Sequence, residues 1–182
     1  DATLAAIARI CPNVLISRIA LGNSGSFDHI LTRALKLTDD DIVYFVEGDY
    51  LHHPGSPQIL LEGFEIGADY VTLYDHPDKY TGRTPATNPL IKDGGETTRV
   101  LLSRSCHWKQ PNSTTMTFAA RVHTLRRDAA LIREHLQDAF PRDFQLFLEL
   151  RARGRVLLSP LPGYSTHGET EFLGPLVDWE KV

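Results

Sequence analysis

Apolar residues recur along this chain at two spacings, and the alternation between them predicts its elements. Leu4, Ile7 and Ala8 share one face of a helix from Ala2 to Ile10, with Asp1 placed to cap it, and Val14 to Ile19 reads as a strand. After the turn-forming run Gly22-Asn23-Ser24-Gly25, Phe27, Ile30, Leu31, Ala34 and Leu35 return at helical spacing from Ser26 to Leu37. Ile42 to Val46 is a continuous β-branched and aromatic run of the kind buried on both faces of a sheet. Ser56-Pro57 opens a further helix ending near Gly67, and Tyr70 to Tyr74 is the next strand.

Strictly alternating helices and strands imply an α/β fold with a mostly parallel, Rossmann-like sheet and helices on both faces, whose ligands bind beyond the carboxyl ends of the strands. From Asp75 to Asn112 the pattern breaks into Pro, Gly, Asp and Thr. Strands at Thr98 to Ser103 and Thr115 to Val122 are expected to pair there as a small antiparallel element. Thr124 then caps a helix to about Leu136, Asp143 caps another to about Arg153, and Arg155 to Ser159 is a last short strand. The tail from Pro160 to Val182 has no periodicity.

Composition narrows the classes. With 182 residues, 42% hydrophobic and 23% charged, the expectation is a single ordinary globular domain. Cys11 and Cys106 lie too far apart for a metal or CxxC motif, which fits a reducing, cytoplasmic setting. A formal charge of −4 supplies no basic surface for nucleic acid, and no apolar run approaches a membrane span.

Three constellations carry candidate chemistry. Glu47-Gly48-Asp49 leaves the buried strand at its ligand edge, and two hard-oxygen carboxylates flanking an open glycine suit a divalent cation bridging a phosphate-bearing substrate. Arg142-Asp143-Phe144-Gln145 sets a carboxylate at a helix start, where the dipole favours the anion, so Asp143 serves as a cap and is available as a base. The third, Pro162-Gly163-Tyr164-Ser165-Thr166-His167-Gly168, is a glycine-flanked loop carrying one histidine. His52 and Thr114 are candidates for an acceptor side, Asp75 for a donor-sugar contact, and Trp108 for either a sugar-stacking surface or a core anchor.

In order and spacing these stretches resemble the nucleotide-sugar-dependent glycosyltransferases of the GT-A fold, especially the family 2 type. Gly22-Asn23-Ser24-Gly25 before a helix, then Asp41 to Asp49, looks like the family's Asn-x-Gly helix running into its DxD strand. The segments from Arg142 to Leu148 and from Gly154 to Tyr164 resemble its acidic motif, helix, strand and closing loop. The chain departs from the pattern in having Glu47 for the first aspartate, Arg142 where glutamate is usual, and no strand before its first helix.

The resemblance implies residues 1–80 as a nucleotide-binding half, 81–168 as an acceptor and catalytic half, and 169–182 as a tail. Asp49, Glu47 and His167 would hold Mn²⁺ or Mg²⁺. Asn23, Gly25, Glu47, Gly48 and Asp75 would contact a UDP- or GDP-type sugar donor, while His52, Trp108 and Thr114 face a glycan or small hydroxylated acceptor. Asp143 would be the base of an inverting transfer. Two rival classes fit parts of the pattern: a metal-dependent phosphoesterase built from Glu47, Asp49, His52, His53, Asp75 and His76, and a non-catalytic module binding a sugar nucleotide or glycan.

Overall fold

The structure, a computed structural model, describes residues 2–84 and 88–182. Asp1, the expected first cap, lies outside the described residues. Five helices are described: α1 (Ala2–Ile10), α2 (Gly22–Ala34), α3 (Ser56–Glu65), α4 (Val122–Glu134) and α5 (Asp143–Ala152). The strands are β1 (Ile42–Phe45), β2 (Tyr50–His52), β3 (Tyr70–Val71), β4 (Val100–Leu102), β5 (His107–Lys109), β6 (Phe118–Arg121), β7 (Leu157–Leu161) and β8 (Ser165–His167).

Six strands form one sheet in the order β1-β6-β3-β7-β5-β4, and β2 with β8 form an antiparallel ribbon. Among the described strands of this sheet only β3 and β7 pair in parallel; β1 with β6, β6 with β3, β7 with β5 and β5 with β4 are antiparallel. The expected mostly parallel, Rossmann-like sheet is therefore corrected to a mainly antiparallel mixed sheet. The cause is an insertion: α3 carries the chain from β1 to β3 across a gap, and the later strand β6 fills that gap running the opposite way. β1, β3 and β7 still point in one direction, so their carboxyl ends share an edge. The sheet also interleaves strands from residues 1–80 with strands from 81–168.

Period-2 alternation splits the core between the two faces. Phe45, Tyr70, Phe118, Ala120 and Leu157 face α2, α4 and α5, meeting Phe27, Leu31, Leu125, Ile132, Leu146 and Phe147. On the other face Val71, Ala119, Leu158 and Trp108 meet Ile59, Leu60 and Phe64 of α3. A Cβ on Gly63 would stand 2.7 Å from Val71 Cγ2 and 3.0 Å from the Trp108 ring, so glycine sets how closely α3 approaches the sheet.

Other expectations change at their boundaries. Val14 to Ile19 forms no strand: it runs exposed beside α2, tied by a 3.1 Å hydrogen bond from Arg33 to Ser17, and no strand edge supplies a ladder. The turn-like Gly22-Asn23-Ser24-Gly25 is the first turn of α2. α4 begins at Val122, which places Thr124 inside the helix rather than at its cap. β4 pairs with β5, a strand the pattern missed, and not with β6. Glu62 of α3 holds that hairpin, accepting from Ser103 Oγ (2.6 Å), Ser105 Oγ (2.6 Å) and Ser105 N (3.0 Å).

Candidate active site

β1 delivers Glu47 and Asp49 to the shared carboxyl edge, and the ribbon of β2 and β8 brings His167 beside them. Gly168 N donates to the Asp49 carbonyl at 2.7 Å, and a Cβ on Gly168 would lie 2.8 Å from that oxygen. The glycine at 168 thus lets the two loops touch. His167 Nε2 then stands 3.2 Å from Asp49 Oδ2.

The Glu47 amide and carboxylate both meet Thr117 Oγ1, at 3.3 and 3.4 Å. Burial pushes the Glu47 carboxyl above its ordinary range, and the negative charges of Asp49 and Asp143 push it further. Asp143, at the start of α5, therefore acts electrostatically on the same cleft as the Glu47 pair. It is the first helical residue rather than the cap, which is Arg142, and its Oδ1 accepts from Phe144 N at 2.6 Å.

Asp143 is itself raised by burial, against that hydrogen bond and the nearby charges of His76 and Lys79. The expectation that a helix start keeps this carboxylate readily charged is corrected here: loss of water outweighs the Phe144 amide and the neighbouring positive charges. The shift makes Asp143 a stronger base than an exposed aspartate.

The segment after β3 divides between the core and the cleft. Asp75 is fully buried, 2.6 Å from Lys109 Nζ and accepting from Tyr80 OH at 2.9 Å, so it closes an internal network and does not reach into the cleft. His76, Lys79 and Asp78 act electrostatically on Asp143, the first two favouring its charged form and the third opposing it. Phe172 from the tail packs its ring 6.1 Å from His76 and 5.7 Å from His167, with its carbonyl accepting from Tyr74 OH. Thr117 and Phe172 carried no sequence signal, because each joins the site only through tertiary contact.

The remaining predicted residues separate. Trp108 is fully buried with its Nε1 donating to Ser103 Oγ at 2.9 Å, so it anchors the core and offers no face to a sugar. Thr114 is buried and bonds Thr72 at 3.1 Å. His52 bonds Tyr44 at 2.9 Å, away from the carboxylates. Among the described residues, Asn23 and Gly25 share no hydrogen bond with Glu47, Asp49 or Asp143; Asn23 is exposed on the first turn of α2.

A divalent cation fits this edge only in part. Among the described residues no three His, Cys, Asp or Glu side chains are grouped to hold a metal. The half-exposed Asp49 carboxylate, with Glu47 behind it, suits a cation that takes its other ligands from phosphate and water. His167 does not suit the ligand role expected of it. Glu169 N donates to its Nδ1 at 3.1 Å, which leaves the neutral ring's proton on Nε2, facing Asp49.

Comparison with protein-family models, with curated proteins and with solved structures gives no match. Among the described residues no helix is long and apolar enough to cross a membrane.

Proposed function

We propose that this chain transfers a glycosyl unit from a nucleotide-sugar donor to an acceptor hydroxyl, with inversion. The observation that carries the reading is that Glu47, at the carboxyl end of β1, feels the charges of both Asp49 and the partly buried, upward-shifted Asp143. Asp143 is suited to take the proton of the acceptor hydroxyl as it attacks the anomeric carbon, and the nucleoside diphosphate leaves from the opposite face. Mn²⁺ or Mg²⁺ bound at Asp49 and Glu47 would supply charge neutralisation for that diphosphate. His167, with its proton on Nε2, orients the Asp49 carboxylate.

The phosphoesterase alternative draws no support from the geometry. His52 and His53 turn to Tyr44 and the Pro54 carbonyl, and Asp75 is sealed against Lys109.

The test pairs binding with turnover. UDP or GDP is expected to raise the thermal midpoint in the presence of Mn²⁺, and Asp49→Asn to abolish that rise. Asp143→Asn keeps an acceptor for the Phe144 amide, so it should leave folding and nucleotide binding intact while cutting transfer or donor hydrolysis by about 10²- to 10⁴-fold. Unchanged turnover in Asp143→Asn removes the base assignment. The absence of any Mn²⁺-dependent nucleotide binding removes the reading altogether.

A further inference from the structure

Residues Thr170–Phe172 form a single 3-10 turn that is tied down at several points. Phe172 N donates to the Glu169 carbonyl at 2.9 Å, and Tyr74 OH donates to the Phe172 carbonyl. Two residues on, Gly174 N donates to Thr166 Oγ1 at 2.7 Å, and the Gly174 carbonyl accepts from Nε1 of the buried Trp179 at 2.8 Å. These anchors use main-chain atoms of Phe172 and Gly174, so the backbone holds the Phe172 ring in place.

That ring closes a circuit of five aromatic side chains. Tyr50 meets Tyr74 at 5.5 Å between ring centroids, Tyr74 meets His76 at 4.9 Å, His76 meets Phe172 at 6.1 Å, Phe172 meets His167 at 5.7 Å, and His167 returns to Tyr50 at 5.4 Å. The two tyrosines are buried, whereas His76, Phe172 and His167 are half-buried, so these three form a shelf that keeps contact with solvent. Its two ends belong to different parts of the site. His167 stands 3.2 Å from the Asp49 carboxylate, and charge on His76 acts on Asp143. Phe172 lies between these polar ends and offers an aromatic surface to whatever occupies the interval.

We infer that Phe172 is the residue on which the transferred hexose stacks, its ring covering the apolar C–H face of the donor's pyranose. The inference rests on the glycosyl-transfer reading and names the part of the donor that the shelf takes. In an inverting transfer the anomeric carbon lies between the leaving diphosphate and the base, so the sugar spans the interval from the Asp49 side to the Asp143 side. The shelf spans the same interval, with His167 at the diphosphate end and His76 at the base end. A pyranose carries its hydroxyls around the rim and C–H bonds on its face, which matches an apolar ring flanked by two imidazoles. A turn fixed by its backbone presents that ring already in position, which limits the ordering cost of binding.

Calorimetric titrations in Mn²⁺ compare UDP and GDP with UDP-glucose, UDP-N-acetylglucosamine and GDP-mannose, for the whole chain and for its Phe172→Ala, Phe172→Leu and Phe172→Tyr variants. Phe172→Ala and Phe172→Leu are expected to weaken the nucleotide sugar by about three- to tenfold while leaving its bare diphosphate unchanged. Phe172→Tyr keeps the ring and should keep both affinities. Equal weakening of nucleotide sugar and diphosphate would make Phe172 a prop for the turn and overturn the proposal. Nucleotide-sugar affinity indifferent to loss of the ring would also overturn it, and either result leaves the glycosyl-transfer reading in place. A parent chain that binds a diphosphate but none of the three nucleotide sugars likewise overturns the stacking role. Binding of neither UDP nor GDP in Mn²⁺ removes the glycosyl-transfer reading and this proposal together.

Discussion

Asp78 makes acid sensitivity a quantitative test of the network behind the cleft. Its carboxylate is 17% exposed and lies 3.0 Å from His76 Nδ1, 3.2 Å from Lys79 Nζ and 3.1 Å from Asn88 Nδ2. Burial pushes this carboxyl up, but hydrogen bonds and positive charge from His76 and Lys79 outweigh it and hold the pKa at about 2 against an ordinary 3.8.

A group depressed on folding contributes stability above its unfolded pKa and loses it as pH falls through the folded value. At about 1.4 kcal/mol per tenfold change in proton affinity, Asp78 contributes about 2 kcal/mol at neutral pH. Asp78→Asn keeps an acceptor for Asn88 and removes only the charge. Urea unfolding followed by the fluorescence of buried Trp108 and Trp179 should then show the variant about 2 kcal/mol weaker at pH 7 and at pH 5. That gap should shrink to roughly a third by pH 2.5. A gap that stays constant from pH 7 to 2.5 would refute the electrostatic account, and no gap at pH 7 would refute the stabilisation itself.

Three further outcomes are expected. Gly63→Ala ordinarily gains about 1 kcal/mol in a helix, but here the new methyl meets Val71 and Trp108, both fully buried, and overpacking of about 1–3 kcal/mol should make the variant no more stable than the parent; a clear rise in its thermal midpoint would contradict the close approach of α3. Glu62, held at about 2 by the Ser103 and Ser105 hydroxyls, should keep the β4–β5 hairpin clamped down to about pH 3, and Glu62→Gln should speed tryptic cleavage at exposed Arg104; an unchanged cleavage rate would leave the clamp without a role. Tyr70→Phe removes the 2.8 Å bond to Asp128 while Arg155 keeps its two contacts with that carboxylate, so a loss of about 1 kcal/mol is expected in urea unfolding, and a loss above about 3 kcal/mol would mean that Arg155 does not hold Asp128 alone.

Element identity was largely legible from the residues, because hydrophobic period is a local property that each segment carries by itself. α3, β1, β3, α4, α5 and β7 lie within a few residues of where periodicity and turn residues place them, and the exit of β1 at Glu47 and Asp49 follows from a buried run meeting glycine. Pairing is a property of distant segments and was not legible. Phe118–Arg121 and Ile42–Phe45 are 72 residues apart at their closest in sequence terms of intervening chain, counted from Val46 to Thr117, and nothing local says that one inserts beside the other in reverse. Val14–Ile19 has strand composition but no edge to bond, so its β-propensity goes unrealised.

The site divides in the same way. Asp49, Glu47 and Asp143 were readable as carboxylates at element ends. Their ionisation was not: burial in the folded chain raises Asp143, and burial together with the charges of Asp49 and Asp143 raises Glu47. Trp108 and Asp75 look equally suited to a surface from their residue types, yet packing seals both inside, Trp108 against Gly63 and Asp75 against Lys109. Residue chemistry is written in the sequence, while solvent access, charge neighbours and strand order arise only when distant parts of the chain exclude water together.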